Sequence, residues 1–235
     1  MTITHWPKQP PVLSAEQEDA RERWVLLWHE QLPEHYSIIE RFNHSYPARL
    51  GQPAGTRTLE IGAGIGGHLP FERLTEQEYH VLELRSEFCQ RLRAQLAPER
   101  VHQGNIEERT SFPDGFFGRV VAIHVLEHIR NLPAAVAEVD RLLAPGGFFD
   151  VVLPCEGGIA YSLARAVSAK PLFERTFKMN YGPIIANEHV STLSEIKTVF
   201  GERFRIARER HFPLGLPSDA LNLCVGYRLE KRRPA

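Results

Sequence analysis

An apolar segment that runs directly into a glycine-rich turn limits what this chain can fold into more than any other feature of its sequence. The segment, residues 58–67, reads Thr-Leu-Glu-Ile-Gly-Ala-Gly-Ile-Gly-Gly. Gly62, Gly64 and Gly66 have no Cβ atom, so the backbone can turn tightly and a ligand can lie against the main chain. With Gly67, the segment also satisfies the G-x-G-x-x-G dinucleotide fingerprint. The pattern therefore predicts a strand, a turn and a helix that together bind a nucleotide-like ligand.

Two acidic residues narrow the class of ligand. Glu60 lies two residues before the first glycine, where its charge would repel a pyrophosphate and attract a cationic group. Glu83 follows Gly62 by 83 − 62 = 21 residues, near the spacing at which an acid binds ribose hydroxyls in nucleotide-binding α/β folds. S-adenosylmethionine (SAM) carries an ammonium and a sulfonium, so it fits Glu60 better than a dinucleotide does, and its ribose suits Glu83.

The order of apolar runs predicts one α/β domain. Five short runs alternate with helical patterns, which indicates βαβ units and a parallel sheet covered by helices on both faces. The runs lie at 58–61, 79–84, 100–103, 119–124 and 148–153. Two further strands, near 204–207 and 221–229, have no helical crossover between them and are therefore predicted to be antiparallel at the sheet edge.

Two segments outside this pattern are predicted to cover the ligand edge of the sheet. Residues 1–50 form an N-terminal helical segment, interpreted as a lid, in which Trp24 and Trp28 either pack on the core or form an aromatic wall. Residues 51–235 form the SAM-binding domain, with a substrate-side insertion at about 156–190. The aromatic residues of the insertion, which either line an acceptor pocket or pack together, are Tyr161, Phe173, Phe177 and Tyr181.

Composition argues against several other classes of protein. The net charge of −1 provides no large basic field, so nucleic acid is not expected as a partner. Three cysteines without a C-x-x-C pair argue against a disulfide framework and favour a reducing compartment. The sequence shows neither a transmembrane run nor the apolar core of a signal peptide, so a cytoplasmic location is expected. It makes no prediction about the oligomeric state.

The motifs occur in the order found in a known family. The residues that carry the resemblance are Leu59-Glu60-Ile61-Gly62-Ala63-Gly64-Ile65-Gly66, Glu83, Gly104-Asn105-Ile106, Val125-Leu126-Glu127-His128 and Leu143-Ala144-Pro145-Gly146-Gly147. Over about residues 55–155 the chain resembles class I SAM-dependent methyltransferases, particularly the small-molecule group called type 11. The resemblance implies a Rossmann-like three-layer α/β sandwich with a seven-stranded sheet of order 3-2-1-4-5-7-6 and an antiparallel strand 7.

The resemblance also implies which residues contact the cofactor. By position, these are Glu60, Gly62, Ala63 and Gly64 for the methionine part, Glu83 for the ribose, and Leu84, Asn105 and Ile106 for the adenine. Asn105 stands where the family commonly has Asp, but its carbonyl oxygen can still accept a hydrogen bond from the adenine amino group. Gly118-Arg119 is a second departure, because the family usually has Asp at the start of strand 4, and it puts the local packing in question.

The segment from His124 to Glu127-His128 has more than one interpretation. As a string it is H-x-x-E-H, a metalloprotease signature that requires both histidines on one helical face. His124 ends a predicted strand, so the peptidase interpretation is rejected. Some quinone-modifying relatives bind a divalent ion at this place, and the sequence leaves open whether His124, Glu127 and His128 do so. No metal is predicted.

The expected function is transfer of a methyl group from SAM to a small-molecule, sugar- or lipid-linked acceptor, with oxygen the favoured atom. A hydroxyl acceptor needs a base, and histidine titrates in the useful range. His128 and His189 are the favoured candidates, and His124 is placed near the reactive methyl. Two alternatives are a non-catalytic SAM-binding scaffold or sensor and a nicotinamide-dependent oxidoreductase, which Glu60 and the antiparallel C-terminal strand disfavour.

Overall fold

The computed structural model describes residues 5–30 and 37–232, which form a seven-stranded sheet with helices on both faces. The strands are β1 (Arg57–Ile61), β2 (Glu78–Glu83), β3 (Val101–Gln103), β4 (Phe117–Ile123), β5 (Leu143–Pro154), β6 (Phe204–Phe212) and β7 (Cys224–Lys231). The helices are α1 (Ala15–Glu30), α2 (Ser37–Leu50), α3 (Ser86–Leu92), α4 (Leu132–Leu142), α5 (Ile159–Val167), α6 (Ala169–Phe177), α7 (Tyr181–Glu188) and α8 (Leu193–Arg203).

The strand order is β3-β2-β1-β4-β5-β7-β6, and β7 runs antiparallel to both of its neighbours. The other neighbouring pairs are parallel, and β1 lies between β2 and β4. This order and the antiparallel β7 confirm the predicted fold class. Because the carboxyl ends of β1, β2 and β4 meet at one edge, ligands are expected there.

The sheet is buried on both faces, as parallel sheets generally are. On one face, α4 and α8 pack against the central strands in the main hydrophobic cluster, with Val139 and Phe200 among its buried members. On the other face, α3 covers β2 and β3 through Leu92, and α2 covers β5 and β7 through Phe42. The result is the three-layer sandwich that the alternating pattern predicts. None of the helices in the described residues is long and apolar enough to cross a membrane.

A buried charge network explains the departure at Gly118-Arg119. The Arg119 side chain is fully buried, and its guanidinium donates to Asp150 at 2.7 Å and to Glu72 at 2.9 Å. Asp150 lies on the adjacent strand β5, opposite Val121 of β4. An arginine is therefore accommodated at the start of β4 because β5 supplies the buried carboxylate beside it.

The same network holds the end of α2. Arg119 donates to the carbonyl oxygen of Pro47, and Arg228 donates to those of Leu50 and Gly51. The last carbonyls of a helix have no intrahelical partners and carry partial negative charge, so guanidinium groups stabilise them. The helix is thereby fastened to the sheet at its C-terminal end.

Gly226 in β7 leaves room for a side chain of α2. A Cβ atom at Gly226 would lie 2.3 Å from a ring atom of Tyr46, a distance that no real side chain tolerates. Tyr46 is buried against the sheet in the cluster that contains Phe42. The tyrosine ring therefore occupies the place that a side chain at position 226 would otherwise take.

The region predicted as a substrate-side insertion, about 156–190, is helical, and its role as an insertion stays a prediction. It contains α5, α6 and α7, each of eight or nine residues. Helices this short show an apolar period over barely two turns, and the scattered glycines and prolines obscure it further. The predicted ranges 1–50 and 51–235 include residues 1–4, 31–36 and 233–235, which lie outside the described residues.

Candidate active site

A cavity of about 1240 Å³ lies where β1, β2 and β4 end. Ligand pockets in proteins are usually about 300–1,000 Å³, so this cavity has room for a cofactor together with an acceptor. One side is lined by the glycine turn and the ends of β1 and β2, and the other by α1, α2, α5 and α7. Of the predicted site residues, those lining it are Glu60, Gly62, Ala63, Glu83, Leu84, Asn105, Ile106, His124, His128 and His189.

The glycine turn has the backbone geometry that only glycine adopts readily. Gly62, Gly64 and Gly66 have φ angles of 65°, 55° and 90°, in the left-handed region. A Cβ atom at Gly62 would lie 2.5 Å from Cγ2 of Val125, in the loop after β4. The turn thus packs closely against that loop and leaves its backbone exposed to the cavity, as a bound cofactor requires.

Glu60 presents a buried negative charge at the wall of the cavity. Its side chain is buried, and Oε2 accepts a hydrogen bond of 2.9 Å from the Tyr79 hydroxyl. Among the described residues it forms no ion pair. A buried carboxylate with only a neutral partner is stabilised by a cationic ligand. This fits the ammonium or sulfonium of SAM.

Glu83 connects the end of β2 to the glycine turn that follows β1. Its carboxylate accepts the backbone N–H of Gly64 and that of Arg85, both at 2.9 Å. Burial raises the pKa of Glu83, although these N–H groups oppose the shift. A carboxylate has about four lone-pair sites, so two remain for ribose hydroxyls.

The residues predicted near the adenine follow β2 and β3. Oδ1 of Asn105 accepts the backbone N–H of Glu107 at 3.0 Å, which fixes the side chain within its own turn. A carbonyl oxygen accepts two hydrogen bonds, so an adenine amino group remains acceptable. Ile106 is buried and Leu84 is exposed, and both line the cavity. Their cofactor roles stay predictions.

His124 adopts a strained backbone at the end of β4. Its φ of 52° is unusual for a residue with a side chain, and such conformations cluster at functional sites. Nδ1 donates to Oε1 of Glu127 at 3.2 Å, and Nε2 lies 3.9 Å from Sγ of Cys224. Burial alone would lower the pKa of His124, but the contacts with Cys224 and Glu127 raise it well above the usual value. A cationic imidazole is therefore the favoured form.

His128 and His189 lie together, although 60 residues separate them in the sequence. Their rings meet edge to face with centroids 4.9 Å apart. His128 Nδ1 donates to the backbone carbonyl of Glu188 at 2.9 Å, and His189 Nδ1 bonds with Oε2 of Glu156 at 2.7 Å. An acceptor at Nδ1 places the proton there, so in each neutral ring Nε2 carries the free lone pair.

Glu127 connects the loop after β4 to the segment after α7. Its carbonyl oxygen accepts the N–H groups of Val190 and Ser191, which brings His189 to His128. Burial would raise the pKa of Glu127, but the bond from His124 and the charges of the histidines lower it to about 2. Its Oε2 is buried and has no partner among the described residues. A ligand with a hydrogen-bond donor would satisfy that atom.

Glu127, His128 and His189 also lie close enough to share a cation. One ligand atom from each of the three lies within 4.8 Å of the others. His124 does not belong to this group, so the residues of the H-x-x-E-H string do not act together as that signature requires. The two histidines of the string lie at the end of a strand and in a short 3₁₀ turn, not on one helical face. The prediction of no metal stays a prediction.

Several cavity residues were not found from the sequence. Oε2 of Glu40 lies 3.2 Å from Nε2 of His44 on α2, and their i, i+4 spacing is the only local sign of this contact. Arg165 also lines the cavity, and it pairs at 2.7 Å with Glu156, which starts the insertion and is not among the lining residues. The aromatic residues, predicted either to line a pocket or to pack together, do both. Trp24, Trp28, Tyr161 and Tyr181 line the cavity, whereas Phe173 and Phe177 pack around Trp24.

Comparisons with known proteins agree with this geometry. Residues 59–151 match the family described as a methyltransferase domain. A sterol 24-C-methyltransferase of Aspergillus fumigatus is 30% identical over 124 residues, which cover 49% of this chain and 32% of that protein. The match thus spans about a third of the length of such curated relatives.

Solved structures show the same fold. The PH0226 protein from Pyrococcus horikoshii has a TM-score of 0.65 and 15% identity, covering 88% of this chain and 99% of that one. A SAM-dependent methyltransferase from Aquifex aeolicus has a TM-score of 0.55 and 14% identity, covering 84% and 97%. The chain therefore has the class I SAM-dependent methyltransferase fold. Residues 59–151 match a methyltransferase domain, as the resemblance predicted, and a domain of this kind implies SAM as its cofactor.

Proposed function

We propose that this protein transfers a methyl group from SAM to a hydroxyl group of a small-molecule, sugar- or lipid-linked acceptor. The observation that carries the proposal is the pair of histidines at the cavity, each held at Nδ1 by an acceptor so that Nε2 is free to take a proton. Oε2 of Glu127, which has no partner within residues 5–30 and 37–232, supports an acceptor that brings a hydrogen-bond donor.

In the proposed reaction, the cofactor site consists of Glu60, Gly62, Ala63, Gly64 and Glu83, with Leu84, Asn105 and Ile106 around the adenine. When bound, SAM supplies a methyl group carried on a sulfonium, and the sulfur that loses this methyl group becomes a neutral thioether. Nε2 of His128 or of His189 removes the proton from the acceptor hydroxyl while the oxygen of that hydroxyl bonds to the methyl carbon. His124, as a cation, orients Glu127 through Nδ1. The remaining task of the protein is to align the two reactants and exclude water.

The regions predicted as a lid, 1–50, and as a substrate-side insertion, 156–190, are proposed to roof the acceptor half of the cavity. The support is that α1, α2, α5 and α7 all contribute lining residues. Tyr161, Trp24 and Ile184 give this half an apolar wall. We also place the protein in the cytoplasm, since Cys89, Cys155 and Cys224 are all free thiols.

The function is tested by incubating the purified protein with SAM and a panel of hydroxylated metabolites, glycans and lipids, and measuring S-adenosylhomocysteine release. We expect acceptor-dependent turnover. Of His128→Gln and His189→Gln, the variant that removes the base should reduce kcat by about 10²–10⁴-fold with little change in SAM affinity. The control is His211→Gln, whose imidazole bonds with Asp219 and lies outside the cavity. SAM binding without turnover of any acceptor would favour the scaffold or sensor alternative.

Transfer to carbon is a second candidate, favoured by the sterol 24-C-methyltransferase relatives. The two reactions differ in the product, so NMR of the product formed from SAM with a ¹³C-labelled methyl group separates an O-methyl from a C-methyl. A C-methyl product would overturn the oxygen assignment and leave methyl transfer standing.

The proposed reaction uses no metal ion. Dialysis against EDTA should therefore leave turnover unchanged, even though Glu127, His128 and His189 are close enough to bind a cation. Loss of activity that Mg²⁺ or Zn²⁺ restores would show that this group binds a metal the reaction needs.

A further inference from the structure

Helix α5 has apolar side chains on the face that points away from the cavity. Ile159, Leu163 and Val167 recur every four residues and are 63–73% exposed. This spacing puts them on one face of the helix. The opposite face carries Tyr161 and Arg165, which line the cavity. A soluble helix normally turns its apolar stripe inward, so this outward stripe needs a partner.

The loop between β6 and β7 adds three exposed leucines beside α5. Leu214, Leu216 and Leu221 are 50–57% exposed. The loop touches the start of α5, because the Ala160 N–H donates to the carbonyl of Ala220 at 2.9 Å. We call these three leucines together with Ile159, Leu163 and Val167 the aliphatic patch.

The loop is held rigidly in this arrangement by a buried asparagine. Asn222 is fully buried, and its Oδ1 accepts the N–H of Leu214 at 2.9 Å. Its Nδ2 donates to the carbonyls of Leu216 and Ser218 at 3.0 and 2.9 Å. The leucines are therefore presented to solvent by a fixed backbone and are not merely the side chains of a frayed loop.

Charge and composition distinguish the class of partner. Lys170 and Arg210, which flank α5 and the loop in the chain, are both exposed, and the segments 157–173 and 210–218 contain no acidic residue. Asp219, the acid nearest in sequence to the leucines, is occupied by Lys197 and His211. The patch is entirely aliphatic, whereas cores of protein interfaces are enriched in aromatic residues, Met and Arg. Aliphatic side chains flanked by cations complement an anionic lipid surface.

We propose that the aliphatic patch docks this protein on the surface of an anionic lipid bilayer. The apolar side chains enter the acyl boundary while Lys170 and Arg210 meet the headgroups. One helix, about 10 Å thick, then separates the bilayer from the acceptor cavity. The docking goes beyond methyl transfer and is independent of it. Only its use, giving a lipid-linked acceptor a short path to the cavity, rests on the proposed function.

The experiment is flotation of the full chain, without SAM, with vesicles of phosphatidylcholine alone or mixed equally with phosphatidylglycerol. We expect the protein to float with the anionic vesicles and to bind them less at high salt. Leu163→Glu and, on the other segment, Leu216→Glu should each reduce the bound fraction about tenfold or more. Both side chains are exposed, so circular dichroism and thermal unfolding should match the wild type.

The control is Ile206→Glu, an exposed apolar residue about 20 Å along β6 from the loop, which should bind as the wild type does. Failure of the wild type to float with either vesicle would overturn the proposal. So would equal loss of binding in the control. Light scattering that shows a dimer abolished by Leu163→Glu would assign the patch to contact between copies. Each of these results leaves the test of methyl transfer unaffected.

Discussion

At the scale of single residues, the cofactor side of the cavity depends on side chains that already serve the backbone. The Glu83 carboxylate accepts two backbone N–H groups, one from the glycine turn and one from the start of the chain after β2. The Glu83 carboxylate can therefore hold the backbone of the turn and also accept hydrogen bonds from ribose hydroxyls.

Glu83→Ala should weaken SAM binding by about 1–3 kcal/mol, because it leaves hydrogen-bonding groups of the turn and the ligand unpaired. Titration calorimetry measures the change. Glu87→Ala removes an exposed carboxylate four residues along the chain and should leave the affinity unchanged. Wild-type affinity in Glu83→Ala would contradict the ribose assignment.

The pH dependence of turnover follows from His128. Burial lowers the pKa of His128 below the ordinary value, so its neutral form persists at pH values below about 6.5. If His128 is the base, the acid limb of kcat/KM should have its midpoint below about 6.5. A midpoint above neutrality would argue for a group with a raised pKa, such as His124.

The glycine turn and Glu83 were predictable because their meaning lies in local pattern and in a fixed spacing along the chain. The pairing of His189 with Glu156 was not, since it joins residues 33 apart across a helical region. The sequence showed three histidines that could serve as a base, but only the fold shows which acceptor holds each Nδ1. The unpartnered oxygen of Glu127 is likewise visible only in three dimensions.

At the scale of elements, α2 and the central strands are joined by the buried network of Arg119, Asp150 and Arg228. Asp150 accepts from both guanidinium groups and is fully buried. The sequence indicated only that Arg119 departs from the family pattern. Its partners could not be inferred, because Asp150 and Arg228 lie on other strands, 31 and 109 residues away in the chain.

Asp150→Ala should destabilise the protein by about 3–5 kcal/mol, since it leaves the buried Arg228 without a carboxylate and removes one of the two carboxylates that Arg119 contacts. Urea unfolding followed by circular dichroism measures the loss. Asp140→Ala is the matched control, because Asp140 pairs with Arg203 and Lys231 at a more exposed site and should cost about 1 kcal/mol or less. Similar losses in the two variants would show that the buried network contributes no more than a surface pair.

At the scale of the whole molecule, stability should fall with acidity in two windows. Burial lowers the pKa of His80 and His102, which lie 3.0 Å apart on β2 and β3. In the unfolded chain these histidines have the ordinary pKa and therefore bind protons at a higher pH than they do in the folded protein. The free energy of unfolding consequently decreases as the pH falls below about 6.5.

The second window comes from Glu72. Burial would raise the pKa of Glu72, but His68 and Arg119 lower it to about 2. Its contribution is lost as the pH falls from about 4.5 toward that value.

Urea unfolding at a series of pH values tests the first window. His102→Gln should flatten the decline below about pH 6.5, because one of the two groups that protonate on unfolding is removed. His5→Gln, at an exposed position, should leave the slope as in the wild type. An unchanged slope in His102→Gln would assign the decline to other histidines, such as His128.

The fit of Tyr46 into the space above Gly226 bears on how such a sequence can diverge. Position 226 has no room for a side chain while the Tyr46 ring lies over it, so a substitution at 226 requires a change at 46. A lineage that gains a side chain at 226 must first, or at once, accept a smaller residue at 46. A library that randomises position 226 alone should therefore return glycine, whereas joint randomisation should also return side chains at 226 paired with smaller residues at 46.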